Sequence, residues 1–209
     1  MKQVFKKHAN IEGKLKKVLA RIEEIVESNE RNAVKVKIIH QILGKLTDDI
    51  LDIHHRSMTD QLTGFVNRWF LNEFLRKEIR LANRYKRELT LAILDMDFLK
   101  LINDNFGHNA GDEAISTIAE IIKKNIRSAD VVARYGGDEF VIVFPVTDLS
   151  EAKKVAERIQ KAVSKEGEKR EYALSISAGL AQLKKRHKFA EDLIEEADKL
   201  LYEEKKKRK

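Results

Sequence analysis

Val131-Val132-Ala133-Arg134-Tyr135-Gly136-Gly137-Asp138-Glu139-Phe140-Val141-Ile142-Val143-Phe144-Pro145 places two apolar runs around a short glycine-rich acidic segment. Short β-branched and aromatic runs with Gly-Gly-Asp-Glu between them predict a hairpin, with strands at Val131 to Tyr135 and Phe140 to Pro145. Upstream, Leu89 to Leu94 is another apolar run, ends on Asp95-Met96-Asp97, and reads as a buried strand. Helical periodicity marks Leu71 to about Arg84, the face Ala114, Ile115, Ile118, Ala119 and Ile122, then Glu151 to Ser164 and Phe189 to Glu204. Tyr172 to Leu180 alternates as a strand does. The order strand, helices, hairpin, helix, strand, helix suits an α+β fold. It predicts a ferredoxin-like or palm-type central sheet flanked by helices.

On that frame Asp95 and Asp97 stand at the end of a central strand, and Asp138 and Glu139 in the turn of the neighbouring hairpin. Carboxylates meeting at adjacent strand ends form an oxygen-rich cluster of hard-cation character. Mg²⁺ takes one or two carboxylates and completes its shell with substrate phosphates. Gly136 and Gly137 would let the hairpin turn tightly and bring backbone close to a ligand.

The N-terminal part reads differently. Ile11, Leu15, Val18, Ile22, Ile25, Asn29, Asn32, Val36, Ile39, Leu43, Leu46, Ile50 and Ile53 keep strict four-three spacing with Lys, Arg and Glu between them. That is a coiled-coil seam, so residues 1–57 are expected to be a helical dimerisation segment and residues 58–209 a separate domain. Ser28-Asn29-Glu30-Arg31-Asn32 leaves two topologies, one long helix or a helical hairpin. The unbroken phase favours the long helix, and either form predicts a homodimer through these helices.

Composition narrows the function. The 209 residues contain no Cys, which excludes disulfide frameworks, thiolate zinc sites and Cys nucleophiles. A hydrophobic content of 43% is enough for a real core. The longest uncharged apolar run, Phe140 to Val146, is far short of the roughly 20 residues a membrane span needs. MKQVFKKHAN carries no signal-peptide stretch, so a cytoplasmic protein without a membrane span is expected. The net charge of +7 suits a phosphate-bearing ligand, although Lys205-Lys206-Lys207-Arg208-Lys209 supplies part of it. Nucleic acid is not an expected partner, because stacking aromatics and a recognition-helix pattern are missing. No Walker-type phosphate loop occurs.

Arg134-Tyr135-Gly136-Gly137-Asp138-Glu139-Phe140 resembles the signature of the GGDEF family of diguanylate cyclases. Asp60-Gln61-Leu62-Thr63-Gly64-Phe65-Val66-Asn67-Arg68 looks like the family's D-x-L-T-G-L-x-N-R motif. Asp95 to Asp104 is similar to its D-x-D-x-F-K-x-x-N-D segment, and Gly107-His108-Asn109-Ala110-Gly111-Asp112 to its G-H-x-x-G-D. Ser175 to Gly179 and Ala197 to Tyr202 resemble its last strand and helix. The resemblance covers about 58 to 209.

This resemblance implies condensation of two GTP molecules into cyclic di-GMP with release of pyrophosphate, across a two-fold dimer. It implies two Mg²⁺ or Mn²⁺ ions per active site, held by Asp95, the Met96 carbonyl and Asp138. Asp138 or Glu139 would accept the hydroxyl proton, and Lys100 would meet phosphate charge. Asn103 and Asp112 match the guanine readers and His108 lines their pocket. Gly136 and Gly137 approach the nucleotide, and Lys205 and Lys209 fall where the family places triphosphate contacts. The helix that would offer free amides is expected to begin near Gly111. Arg127-Ser128-Ala129-Asp130, five residues before the signature's Gly-Gly pair, matches the family's R-x-x-D product-inhibition site, with Arg158 contributing. Leu99 replaces the usual Phe, and Arg208 stands where the family's C-terminal ending has Gly. The rival readings are a non-enzymatic receptor of the same fold and a basic nucleic-acid-binding dimer. The first would be expected to lose acidic residues that this chain keeps.

Overall fold

The strand Leu89–Met96 (β2) is buried at every position. A strand buried on both faces belongs at the centre of a sheet covered by helices on both sides, and β2 sits there. The computed structural model describes residues 58–207, together with Ala20, Lys37, 39–41 and 43–45. Those earlier positions are helical. The rest of the expected coiled-coil seam lies outside the described residues, as do Arg208 and Lys209. The chain divides into two compact units, Met1–Ser57 and Met58–Lys209, and the sheet belongs to the second.

After β1 (Val66–Asn67) and α1 (Arg68–Tyr85), β2 is followed by α2 (Leu99–Phe106), α3 (His108–Asn125), β3 (Val131–Arg134) and β4 (Glu139–Pro145). Then come α4 (Leu149–Gly167), β5 (Ile176–Gln182) and α5 (Ala190–Lys207). The five strands lie in the order β1-β3-β4-β2-β5, with β1 parallel to β3 and every other pair antiparallel. This is the expected α+β class.

Period-two alternation sorts the sheet's faces. Ala92, Leu94 and Met96 join Phe140, Ile142, Phe144 and Ile176 in a core with Ile115, Ile118 and Ile122 of α3 and Ala156, Ile159 and Val163 of α4. Leu91 and Ile93 point the other way, toward α1 and α5, whose buried stripes include Leu71, Leu75, Leu193 and Leu201. Helix ends follow their caps. Asn67 accepts from the Phe70 amide at 3.0 Å to start α1, and Asp148 from the Glu151 amide at 2.8 Å to start α4.

Several expected boundaries move. Glu139 opens β4 instead of sitting in the turn. The last strand starts at Ile176, four residues later than Tyr172. The helix expected near Gly111 begins at His108. β1 and α2 were not foreseen: two residues are too few to show alternation, and an eight-residue helix with one buried side chain, Ile102, shows almost no stripe. Among the described residues, no helix is long and apolar enough to cross a membrane.

Candidate active site

The register of β2 sets Asp95 opposite Glu139 of β4 on one side and Ser177 of β5 on the other. By alternation the Asp95 and Glu139 side chains share the face covered by α1 and α5. Asp95 is 8% exposed, and its Oδ1 lies 2.6 Å from Nζ of Lys205 in the last turn of α5. Burial pushes the Asp95 carboxyl up; Lys205 opposes this, Asp138 and Asp97 add to it, and the net displacement is upward. Glu139 is also raised, by burial first and then by Asp95, Asp138 and Asp198, against Lys205. The site is therefore a knot of crowded carboxyls answered, among the described residues, by the Lys205 ammonium. Asp198 belongs to that knot, although it entered the sequence reading only as part of a matched segment.

Asp97 departs from the cluster expected at the strand end. Its Oδ2 accepts from Ser175 Oγ at 2.7 Å and its Oδ1 from Ser177 Oγ at 2.9 Å, so both oxygens are engaged on the β5 side. The hairpin is tied down from two directions. The Met96 amide donates to the Asp138 carbonyl at 2.9 Å. Arg134 donates from Nη2 to the Gly137 carbonyl at 2.7 Å, and from Nη1 to Asp60 Oδ2 at 3.2 Å. Asp60 is itself held by the Thr63 amide at 2.9 Å and hydroxyl at 2.7 Å. The Arg68 guanidinium lies 4.3 Å over the Tyr135 ring. Sequence matching found the Asp60–Arg68 segment without showing that it braces the hairpin. Gly136 and Gly137 make the turn without left-handed backbone. A Cβ at Gly136 would stand 2.6 Å from Glu139 Oε2, so a side chain there would displace the Glu139 carboxylate.

The other matched residues lie along α2 and α3. Lys100 is exposed in the first turn of α2, after Phe98 in left-handed conformation at φ 62°. Asn103 is half-buried with its side chain against Gly111, and His108 and Asp112 are exposed near the start of α3. Lys209 lies outside the described residues.

Arg127, Asp130 and Arg158 meet around the α3–β3 connection. Asp130 is 2% exposed; its Oδ2 accepts from the Arg127 amide at 2.9 Å and stands 3.8 Å from the Arg127 Nε. Its Oδ1 is buried without a hydrogen-bond partner. Arg127 also donates to Thr147 Oγ1 at 2.7 Å. Arg158 reaches from α4 to Asn125, donating to its Oδ1 at 2.9 Å and to its carbonyl at 2.6 Å.

The carboxylate knot can be tested against a divalent ion. Among the described residues no group of three or more His, Cys, Asp or Glu is arranged as a ready cation cage. A lysine ammonium already occupies the negative field at Asp95. One or two carboxylates with no closed cage is the donor set that suits Mg²⁺ shared with a substrate phosphate, so the residues fit that group.

The α+β sheet thus carries a carboxylate knot at the end of its central strand, with Lys205 facing it. Residues 57–209 match the family described as "Diguanylate cyclase, GGDEF domain". The chain belongs to the GGDEF diguanylate cyclase family. It is 38% identical over 160 residues to Diguanylate cyclase DgcP of Pseudomonas aeruginosa, covering 74% of this chain and 23% of that protein. It is 37% identical over 190 residues to Diguanylate cyclase DosC of Escherichia coli, covering 83% of this chain and 41% of that protein. The chain thus spans less than half the length of these relatives. Among solved structures, the coiled coil and GGDEF domain of DgcB from Caulobacter crescentus in complex with c-di-GMP has a TM-score of 0.78 at 28% identity. It covers 83% of this chain and 94% of that one. The diguanylate cyclase SiaD, in complex with its activator SiaC from Pseudomonas aeruginosa, has a TM-score of 0.68 at 27% identity, with 99% and 80% covered.

Proposed function

We propose that this chain condenses two GTP molecules into cyclic di-GMP, releasing pyrophosphate. The observation that carries this reading is the Asp95–Lys205 contact beside Asp138 and Glu139. It joins carboxylates able to share a cation with a triphosphate to a lysine able to meet the phosphates themselves.

Asp95, the Met96 carbonyl and Asp138 would hold Mg²⁺ or Mn²⁺, two ions per site in the family's pattern. The ions would neutralise phosphate charge and favour attack at the α-phosphorus. The chain's own groups do the rest. Asp138 or Glu139 takes the proton of the 3′-hydroxyl, and the crowding that raises Glu139 suits a group that must accept a proton. Lys205 turns from Asp95 to the triphosphate, and Lys100 and Lys209 add positive charge. Gly136 and Gly137 form the backbone approach to the nucleotide. Asn103 and Asp112 read the guanine edge, with His108 lining the pocket and the first amides of α3 close by.

One domain supplies one GTP, so two domains face each other about a two-fold axis. The N-terminal helices make this homodimer and raise the effective concentration of one domain beside the other. Ile39, a seam position, is helical and 46% exposed in the single chain, as a residue awaiting a partner helix would be. Cyclic di-GMP binds back at Arg127 and Arg158, with the unpaired Asp130 Oδ1 as an acceptor for the guanine edge.

The test is to incubate the purified chain with GTP and Mg²⁺ over a range of protein concentrations and identify the product by mass spectrometry. Cyclic di-GMP whose yield per protomer rises with protein concentration to a plateau is expected. Intact GTP at every concentration overturns the reading.

A further inference from the structure

Residues 168–175 connect α4 to β5 and take no part in the chemistry above. Their path is set where α4 ends: a Cβ on Gly167 would stand 2.5 Å from the Leu174 amide nitrogen, so the chain doubles back against the helix end. Leu174 is buried there. The fold-back lays Arg170 and Tyr172 across the start of α3.

Arg170 makes three contacts at once. Nη1 donates to Glu113 Oε1 at 2.6 Å and to the Tyr172 hydroxyl at 3.1 Å, while Nη2 donates to Thr117 Oγ1 at 3.0 Å. The Tyr172 hydroxyl in turn donates to the Ala110 carbonyl at 3.4 Å. Its ring centre lies 5.3 Å from that of Phe106, the last residue of α2. The connection therefore grips α3 from Ala110 to Thr117 and touches the end of α2.

That grip matters because α2 has little anchorage of its own. It is eight residues long, buries only Ile102, and turns into α3 through the single residue Gly107. The α2–α3 hairpin carries Asn103, His108 and Asp112.

We infer that Arg170 and Tyr172 are positioning residues for the nucleotide: they strap the α2–α3 hairpin so that Asn103 and Asp112 meet the guanine edge together. This rests on the proposed function, which places guanine at those two residues. The planar guanidinium is suited to the task, because one rigid fork satisfies acceptors on two segments where a lysine reaches one. Loosening the strap weakens ground-state and transition-state binding alike, which raises KM and leaves kcat nearly unchanged.

The full-length chain, Arg170→Ala, Arg170→Lys and Tyr172→Phe are compared by GTP-dependent turnover, by equilibrium GTP binding, and by hydrogen exchange without nucleotide. Arg170→Ala is expected to raise the KM and Kd for GTP about tenfold with kcat within about twofold. Arg170→Lys should fall between, and exchange should quicken over residues 99–117 while β2 stays protected. Should Arg170→Ala fail to fold, Tyr172→Phe carries the test with a smaller rise in the same direction. Unchanged KM and Kd in a folded variant, or a fall in kcat alone, overturns the strap. If the parent binds GTP without turnover, Kd is the deciding readout. A parent that does not bind GTP overturns both this inference and the function beneath it, whereas an active parent with an indifferent Arg170→Ala overturns only the strap.

Discussion

Lys205 Nζ, in the last turn of α5, lies 2.6 Å from Asp95 Oδ1 at the end of β2. The contact follows from packing. Leu201 and the Ala197 carbonyl rest directly on Gly179 of β5, where any side chain would collide. Gly179 is the register partner of Ile93, so one further helical turn past Leu201 brings residue 205 above residue 95. Lys205→Met removes the charge that opposes burial at Asp95, so that carboxyl rises further. The expected result is a GTP KM raised about tenfold, the loss of one charge-assisted phosphate contact. The Mg²⁺ needed for half-maximal turnover should rise more at mildly acid than at alkaline pH. Parallel Mg²⁺ titrations at the two pH values check this.

Asp60 and Arg134 join the N-terminal motif to the hairpin turn. Burial pushes Asp60 up, but Thr63 and Arg134 outweigh it and hold the carboxyl below its ordinary value. Both side chains are mostly shielded, Arg134 17% and Asp60 24% exposed, so the pair keeps more of its strength than a surface ion pair. Arg134→Ala frees the Gly137 carbonyl and leaves Asp60 without its cation. A loss of about 1–3 kcal/mol in denaturant midpoint analysis is expected, together with reduced turnover. A double-mutant cycle with Asp60→Ala should show non-additivity, and strict additivity would mean that the two act separately.

Acid sensitivity should concentrate near the start of α5. Burial would raise Glu196, yet Arg186, His187 and Lys184 together bring it to about 2. His187 is fixed in one tautomer, because its Nδ1 accepts from the Lys184 amide at 2.9 Å while its Nε2 faces Glu196 at 2.6 Å. A depressed carboxyl contributes stability in full above its unfolded value of 4.5 and loses it as pH falls from there toward 2. Glu196→Gln is therefore expected to lower Tm at neutral pH, with the gap to the parent closing across that window. A gap independent of pH would refute the assignment.

The residues proposed to bind cyclic di-GMP differ in burial. Asp130 is buried and receives the Arg127 amide, whereas Arg127 and Arg158 are exposed. Arg127→Ala should weaken inhibition by cyclic di-GMP at least several-fold with little change in Tm. Asp130→Ala should cost about 1–3 kcal/mol, because the Arg127 amide loses its acceptor. Inhibition curves and thermal melts on the same preparations separate the two effects.

The central strand and the hairpin were legible as short apolar runs, and the long helices as periodic stripes, in side chains that the fold buries. What escaped was built from contacts distant in sequence. Asp97 looked equivalent to Asp95 two residues away, and only Ser175, just before β5, and Ser177 within it distinguish them. Arg134, Asp60 and Gly137 form a brace that no spacing rule connects. Strand 172–180 began too early because Tyr172 alternates correctly with its neighbours while its hydroxyl and ring are committed to α3 and α2. Lys205 was singled out through the family resemblance, but its contact with Asp95 depends on where α5 packs.

The most direct measurement compares the parent with Asp138→Ala for conversion of GTP in Mg²⁺, after bound nucleotide has been removed and circular dichroism has shown both to be folded. Cyclic di-GMP from the parent and none from the variant is the expected outcome. Equal conversion by both, or intact GTP from a folded dimeric parent, would contradict the assignment of the carboxylate knot as a cyclase active site.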